Sequence, residues 1–63
     1  MCEAHAYLIK NGSEEKVMES VDLVEFEDGQ VRLVNIFGEQ KVIKARFKLY
    51  NNTERKILFE PLP

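Results

Sequence analysis

Apolar and polar residues alternate along this chain at a period of two, and turn residues cut the pattern into short segments. Across the first segment, Cys2 to Lys10, Ala4, Ala6 and Leu8 alternate with His5, Tyr7 and Ile9. That period sends successive side chains to opposite faces of an extended strand. Asn11-Gly12 closes the segment with a pair that tolerates positive φ in a tight turn. The stretch Glu14 to Glu19 suits either one short helical turn or the start of a second strand.

The clearest element is a hairpin around Asp28-Gly29. Taken as a two-residue type I′ turn, it pairs Glu27 with Gln30, Phe26 with Val31, Glu25 with Arg32 and Val24 with Leu33. Two apolar pairs then share one face and an ion pair takes the other. Continued outward, the register pairs Leu23 with Val34 and Val21 with Ile36, on the face opposite Phe26 and Val24. Both faces are therefore apolar at the far end. A bulge could re-aim these side chains, barrel closure could bury both faces, or a second subunit could cover one. Under the last reading Val21, Leu23, Val34 and Ile36 form a dimer interface.

Phe37-Gly38 marks the next turn and Val42 to Tyr50 the next strand. Ile43, Ala45, Phe47 and Leu49 point to the core, and Lys44, Arg46 and Lys48 form a basic outer stripe. A three-residue loop, Asn51-Asn52-Thr53, sets Phe47 against Ile57 and Ala45 against Phe59, apolar on apolar. Pro61 ends the last strand, since proline cannot extend a ladder. The whole reads as one all-β domain over residues 1–63, an antiparallel barrel or β-roll of five to six short strands.

Sixty-three residues are close to the lower limit for a self-sufficient core, which rarely leaves more than ~3–5 kcal/mol of stability. One cysteine and one histidine exclude a disulfide framework and a multi-ligand zinc site, so self-association is the remaining common staple. A homodimer is the expectation. No apolar run approaches the ~18 residues of a membrane helix and no signal peptide is evident, which points to the cytoplasm and away from membranes.

The net charge of −2 argues against generic nucleic-acid binding, and its distribution says more. Residues 1–40 hold nine acids against three bases, and residues 41–63 hold six bases against two acids. Attraction between the two halves of one sheet explains this more economically than an anionic partner. Lys44, Arg46, Lys48 and Lys56, with Tyr50 and Tyr7 as stacking rings, still raise an RNA-binding alternative. No aromatic residue interleaves the cations in the manner of a stacking platform, so a solvated strand face is the preferred reading.

No catalytic constellation is present. Cys2 and His5 lie three apart on a strand and point to opposite faces, and no phosphate-binding loop or G-x-G-x-x-G occurs. A non-enzyme is expected. Cys2 is nevertheless unusual, because removal of Met1 would leave one residue carrying both a thiol and a free amine. Such donors suit Ni(II), Cu or Zn rather than Mg or Ca. One chain supplies too few of them, whereas a twofold axis beside residue 2 would give a square-planar S₂N₂ set suited to Ni(II). His5 could add a nitrogen only if the terminus folds back. On the residues alone, an inert strand cysteine stands beside this metal reading.

The Met1-Cys2 start, the Asp28-Gly29 hairpin, the segment from Val31 to Glu39 and the length together resemble the CooT-like proteins. These are small nickel-binding homodimers linked to maturation of carbon monoxide dehydrogenase, and the wider group is labelled predicted RNA-binding protein. The resemblance implies a β-rich dimer that holds Ni(II) through Cys2 of each chain, a metallochaperone role and a metalloenzyme client. Only Cys2 carries over as a ligand. The hydrogenase chaperones of the HypC type also begin Met-Cys, but they continue with a Gly-containing apolar stretch where this chain has Glu3-Ala4-His5.

Overall fold

A single curled sheet makes up the protein, and the computed structural model describes residues 4–62 of it. The strands are β1 (Ala4–Lys10), β2 (Ser13–Glu27), β3 (Gln30–Asn35), β4 (Gln40–Ile43), β5 (Ala45–Asn51) and β6 (Lys56–Pro61). Their order across the sheet is β4-β3-β2-β1-β6-β5. All neighbours run antiparallel except β1 and β6, which run parallel. The expected all-β half-barrel is therefore mixed in one place. No helix occurs among the described residues, so Glu14 to Glu19 resolves as strand, laddered to β1 through Ile9↔Glu14, Leu8↔Glu15 and Tyr7↔Lys16.

Curvature comes from β2, a strand of 15 residues with three register shifts. Two fall against β1, between Tyr7↔Lys16 and Ala6↔Met18 and between Ala6↔Met18 and Ala4↔Val21. The third, against β3, inserts Asp22 between Val21↔Asn35 and Leu23↔Val34. Each extra residue bends its strand and increases local twist. The result brings the two sheet edges together. β4 and β5 stand at opposite ends of the strand order, yet Lys44 alone separates them in the chain. At that bend Leu62 N–H donates to Lys44 O at 3.3 Å. Phe26 of β2 meets Phe47 of β5 edge-to-face at 6.3 Å, and Phe47 meets Phe59 of β6 at 6.4 Å, so aromatic contact bridges a seam that no ladder closes.

The core lies inside the curl. Val31, Leu33 and Phe59 are its largest fully buried side chains, packed with Ala4, Ala6, Met18, Val21, Ala45 and Ile57. The β2–β3 register matches the sequence reading from Glu27↔Gln30 through Leu23↔Val34. Its turn does not, because only Gly29 has positive φ (71°) and Asp28 does not, which is the type II rather than the type I′ pattern. Loop length fixed the register, so the change of turn type left it intact.

Four further expectations are corrected. Val21 pairs with Asn35 instead of Ile36, because the bulge at Asp22 rotates Val21 into the core. The stretch Val42 to Tyr50 is two strands rather than one, broken at Lys44 where the chain crosses from one sheet edge to the other. The connection to β6 takes four residues, with Asn51↔Lys56 the last pair, so Phe47 faces Phe59 and Ala45 faces Pro61. Asn51 Oδ1 accepts from Glu54 N–H at 3.1 Å, which stabilises the longer loop and offsets the left-handed φ of 56° that it demands of Arg55. A shift between Phe47 and Leu49 then pairs Leu49 with Leu58, on the face opposite Phe59. Of the core face expected for this stretch, Ala45 is buried and Ile43 half-buried, while Phe47 and Leu49 stay exposed.

Phe59 touches both halves of the curl, so Phe59→Ala should remove about 3–5 kcal/mol, comparable to the entire stability of so small a domain. Urea titration followed by circular dichroism should find this variant largely unfolded at 25 °C. A cooperative transition at the wild-type midpoint would contradict this placement of the core.

Candidate functional site

Cys2, the sequence-derived metal ligand, lies outside the described residues. The described chain begins at Ala4, two residues after it. Ala4 pairs with Val21 on β2, and His5 N–H donates to Arg55 O at 2.8 Å. Ser20, held at a φ of 55° in the bulge, donates its N–H to His5 Nδ1 at 3.2 Å. Ser20 O in turn accepts from Ile36 N–H at 3.0 Å. The start of β1 is thereby tied to the β3–β4 loop through one bulged residue.

This arrangement decides what His5 can offer. With Nδ1 accepting a hydrogen bond, the neutral ring carries its proton on Nε2. Neither nitrogen then presents a free lone pair, so His5 holds the bulge rather than a metal. No cluster of three or more His, Cys, Asp or Glu suited to a cation occurs among the described residues.

Asn35 is the buried polar residue at the same end of the barrel, 4% exposed. Its Oδ1 accepts from Phe37 N–H at 3.0 Å and Glu39 N–H at 2.9 Å, and its Nδ2 donates to Glu39 Oε1 at 2.6 Å. These bonds fix the loop from Ile36 to Glu39, with Gly38 supplying a φ of 81°. The loop presents Ile36 (44% exposed) and Phe37 (75% exposed) to the outside. Leu23, 42% exposed, and half-buried Val34 pair directly across β2 and β3 on that outer face. Of the four residues assigned to an interface from sequence, Val21 belongs to the protomer's own core and the other three share an outward patch.

An open groove of about 550 Å³ runs between Met18, Asn35, Phe37 and Lys41. Its ionisable groups are already engaged: Lys16 with Glu19 at 2.8 Å, Glu39 with Asn35, and Lys41 with Val17 O at 3.4 Å. Sequence pattern gave no signal for it, since a bulged strand and a loop form it jointly.

The basic stripe is partly neutralised within the fold. Arg46 Nε and Lys48 Nζ both reach Glu60, each at 3.1 Å. Lys56 Nζ contacts Glu14 at 2.7 Å and Glu54 at 3.9 Å, and sits 5.3 Å from the centre of the Tyr7 ring. Tyr50 OH donates to Asn52 Oδ1 at 3.0 Å. Lys44 stands apart at the bend. Glu60 and Glu14 escaped the sequence reading because the shorter loop put Arg46 out of register with Glu60, and because nothing local joins Glu14 to Lys56.

Hydrogen bonds from Lys48, then Arg46, hold the Glu60 carboxyl below the usual carboxylate range, and Lys16 does the same for Glu19. A depressed folded-state pKa contributes stability above the unfolded value, and that stability is lost as pH falls through the folded one. Urea midpoints should therefore drop below about pH 4.5. In Glu60→Gln the acid-side drop should shrink, and 1 M salt should shrink it in the wild type. An identical acid profile for Glu60→Gln would remove Glu60 from this role.

The chain matches the family model described as CO dehydrogenase accessory protein CooT over residues 1–60. A crystal structure assigned as a CooT from Carboxydothermus hydrogenoformans is similar throughout, with 37% identity, a TM-score of 0.90, and coverage of 98% of this chain and 100% of that one. No curated protein matches. With a family model spanning nearly its full length and a solved relative sharing its fold, the chain belongs to the CooT family of carbon monoxide dehydrogenase accessory proteins.

Proposed function

We propose that this protein is a nickel-binding accessory protein that works as a homodimer, with Cys2 of each copy supplying a thiolate to one shared Ni(II) and a metalloenzyme as its client. The observation that carries the reading is the position of the outward apolar patch. Leu23 follows Val21 by two residues, and Val21 pairs with Ala4. Cys2 precedes Ala4 by two residues, a span of at most about 7 Å. A twofold contact over Leu23, Val34 and Ile36 therefore lies within reach of the two chain starts.

The donor count supports the same conclusion. One protomer offers a single cysteine, and His5 is occupied by the Ser20 bulge. A thiolate and an amine from each of two chains would complete four soft or borderline donors, which suits square-planar Ni(II). The protein's part is to bring the two starts together and to keep His5 out of the ligand set. Nickel itself supplies the Lewis-acidic centre destined for the client.

Tag-free protein should bind about one Ni(II) per two chains, with a thiolate-to-metal band in the near ultraviolet. Cys2→Ser should lose that band, since a serine hydroxyl stays protonated and is a poor soft donor. Retention of full nickel affinity by Cys2→Ser would end the proposal.

Leu23→Lys would place an unpaired charge in the contact, costing on the order of 3 kcal/mol or more. Analytical ultracentrifugation should then report monomer, with an unaltered far-ultraviolet spectrum because Leu23 lies outside the core. A stable Leu23→Lys dimer would move the interface away from this patch.

A further inference from the structure

The edge strand β5 has features that neither the core nor the proposed metal site uses. It is hydrogen-bonded on one side only, to β6. Among the described residues no backbone bond joins Arg46–Tyr50 to anything else. Its inner face is apolar, and its outer face carries the cations together with Leu49, which the shift after Phe47 turns outward. Phe47, opposite Phe59, is 47% exposed at the open seam beside Phe26, itself 63% exposed, and Tyr50, opposite Ile57, is 50% exposed farther along the strand. Arg46 and Lys48 share the single carboxylate of Glu60 on the other face, and Lys44 meets no carboxylate within 4 Å among the described residues. Three cations against one acid leave a local charge of about +2 on a protein whose net charge is −2.

We propose that β5 receives an extended segment of a partner protein, alternately acidic and apolar, as an added strand along Phe47–Asn51. The open ladder supplies main-chain hydrogen bonds, and alternate side chains supply selectivity, as in other cases of strand addition. Apolar residues of the segment cover Phe47, Tyr50 and Phe26. Its carboxylates meet Arg46 and Lys48, which Glu60 only half neutralises.

Charge excludes a second copy from this position. Lysines on an edge strand oppose pairing with an identical edge. The other edge, β4, reads Gln40-Lys41-Val42-Ile43 and carries no carboxylate either. The acidic stretch Glu25-Phe26-Glu27 has the right alternation but is already laddered to β3. The occupant is therefore a different chain.

The test is a titration of the ¹⁵N-labelled full chain, followed by amide chemical shifts. Three capped seven-residue peptides serve as probes: alternating Glu and Val, alternating Lys and Val, and alternating Glu and Pro. The Glu/Val peptide should shift the amides of Phe47–Asn51. The Lys/Val peptide should bind about tenfold more weakly or worse through charge, and the Glu/Pro peptide similarly through its missing ladder donors. Arg46→Glu combined with Lys48→Glu should reverse the preference between the glutamate and lysine peptides. The peptide comparison on the wild type decides the matter even if that variant fails to fold.

Equal binding of the Glu/Val and Glu/Pro peptides would reduce the surface to a charge patch and overturn the proposal. So would shifts confined to β4, an absence of shifts at millimolar peptide, or stronger perturbation of the same amides by a single-stranded oligouridylate. None of these outcomes depends on nickel binding by Cys2.

Discussion

Everything in this structure depends on the curl that lets a chain of 63 residues bury one face of a six-stranded sheet on itself. A flat sheet of this size would leave Val31, Leu33 and Phe59 facing water, and each such side chain contributes about 1.5–3 kcal/mol only when removed from it. Three bulges in β2 supply the bend, and the crossing at Lys44 carries the chain between the two sheet edges. The bulges also rotate particular residues. Asp22 sends Val21 inward, and Ser20 is held in place by His5. The device that closes the core therefore shapes the surface near the chain start.

Closure is incomplete in an informative way. At the seam, Phe26, Phe47 and Phe59 touch in sequence, but no ladder joins β5 to the β2–β3 hairpin. Two groups of exposed apolar residues matter here, Leu23 with Val34 and Ile36 outside the curl, and Phe26 with Phe47 at the rim of the open seam. The first is uncharged at its centre and lies along β2 from Val21, the partner of Ala4, which suits a second copy. Cations flank the second, which suits an acidic chain. Charge is what separates the two surfaces.

Much of the fold was legible in the sequence wherever a turn fixed a register. Asp28-Gly29 dictated five consecutive pairs correctly even though its turn type was different, because loop length sets which residues oppose each other. A bulge was one of three open readings for the far end of that hairpin, but the positions of the bulges were not legible. Their positions depend on long-range curvature, so the partner of Val21 and the break at Lys44 could not be read from alternation alone. The four-residue loop was missed for a related reason: apolar matching favoured a shorter one, while the hydrogen bond from Glu54 N–H to the side chain of Asn51 favoured the longer, despite the left-handed φ it imposes on Arg55. As for the site, the sequence singled out Cys2, which lies outside the described residues, and four interface residues, of which Val21 is part of the core. It missed the ties of His5 to Ser20 and of Arg46 and Lys48 to Glu60, each of which joins residues on different strands.

The central claim is that two chains hold one metal jointly, and mixed dimers test it most directly. Wild-type protein and isotopically heavy Cys2→Ser protein can be mixed, allowed to exchange, loaded with Ni(II) and weighed by native mass spectrometry. The shared site predicts nickel in the wild-type dimer and none in the mixed dimer, since one thiolate is missing there. A mixed dimer that keeps nickel at wild-type occupancy would place the whole site within a single chain and contradict the account.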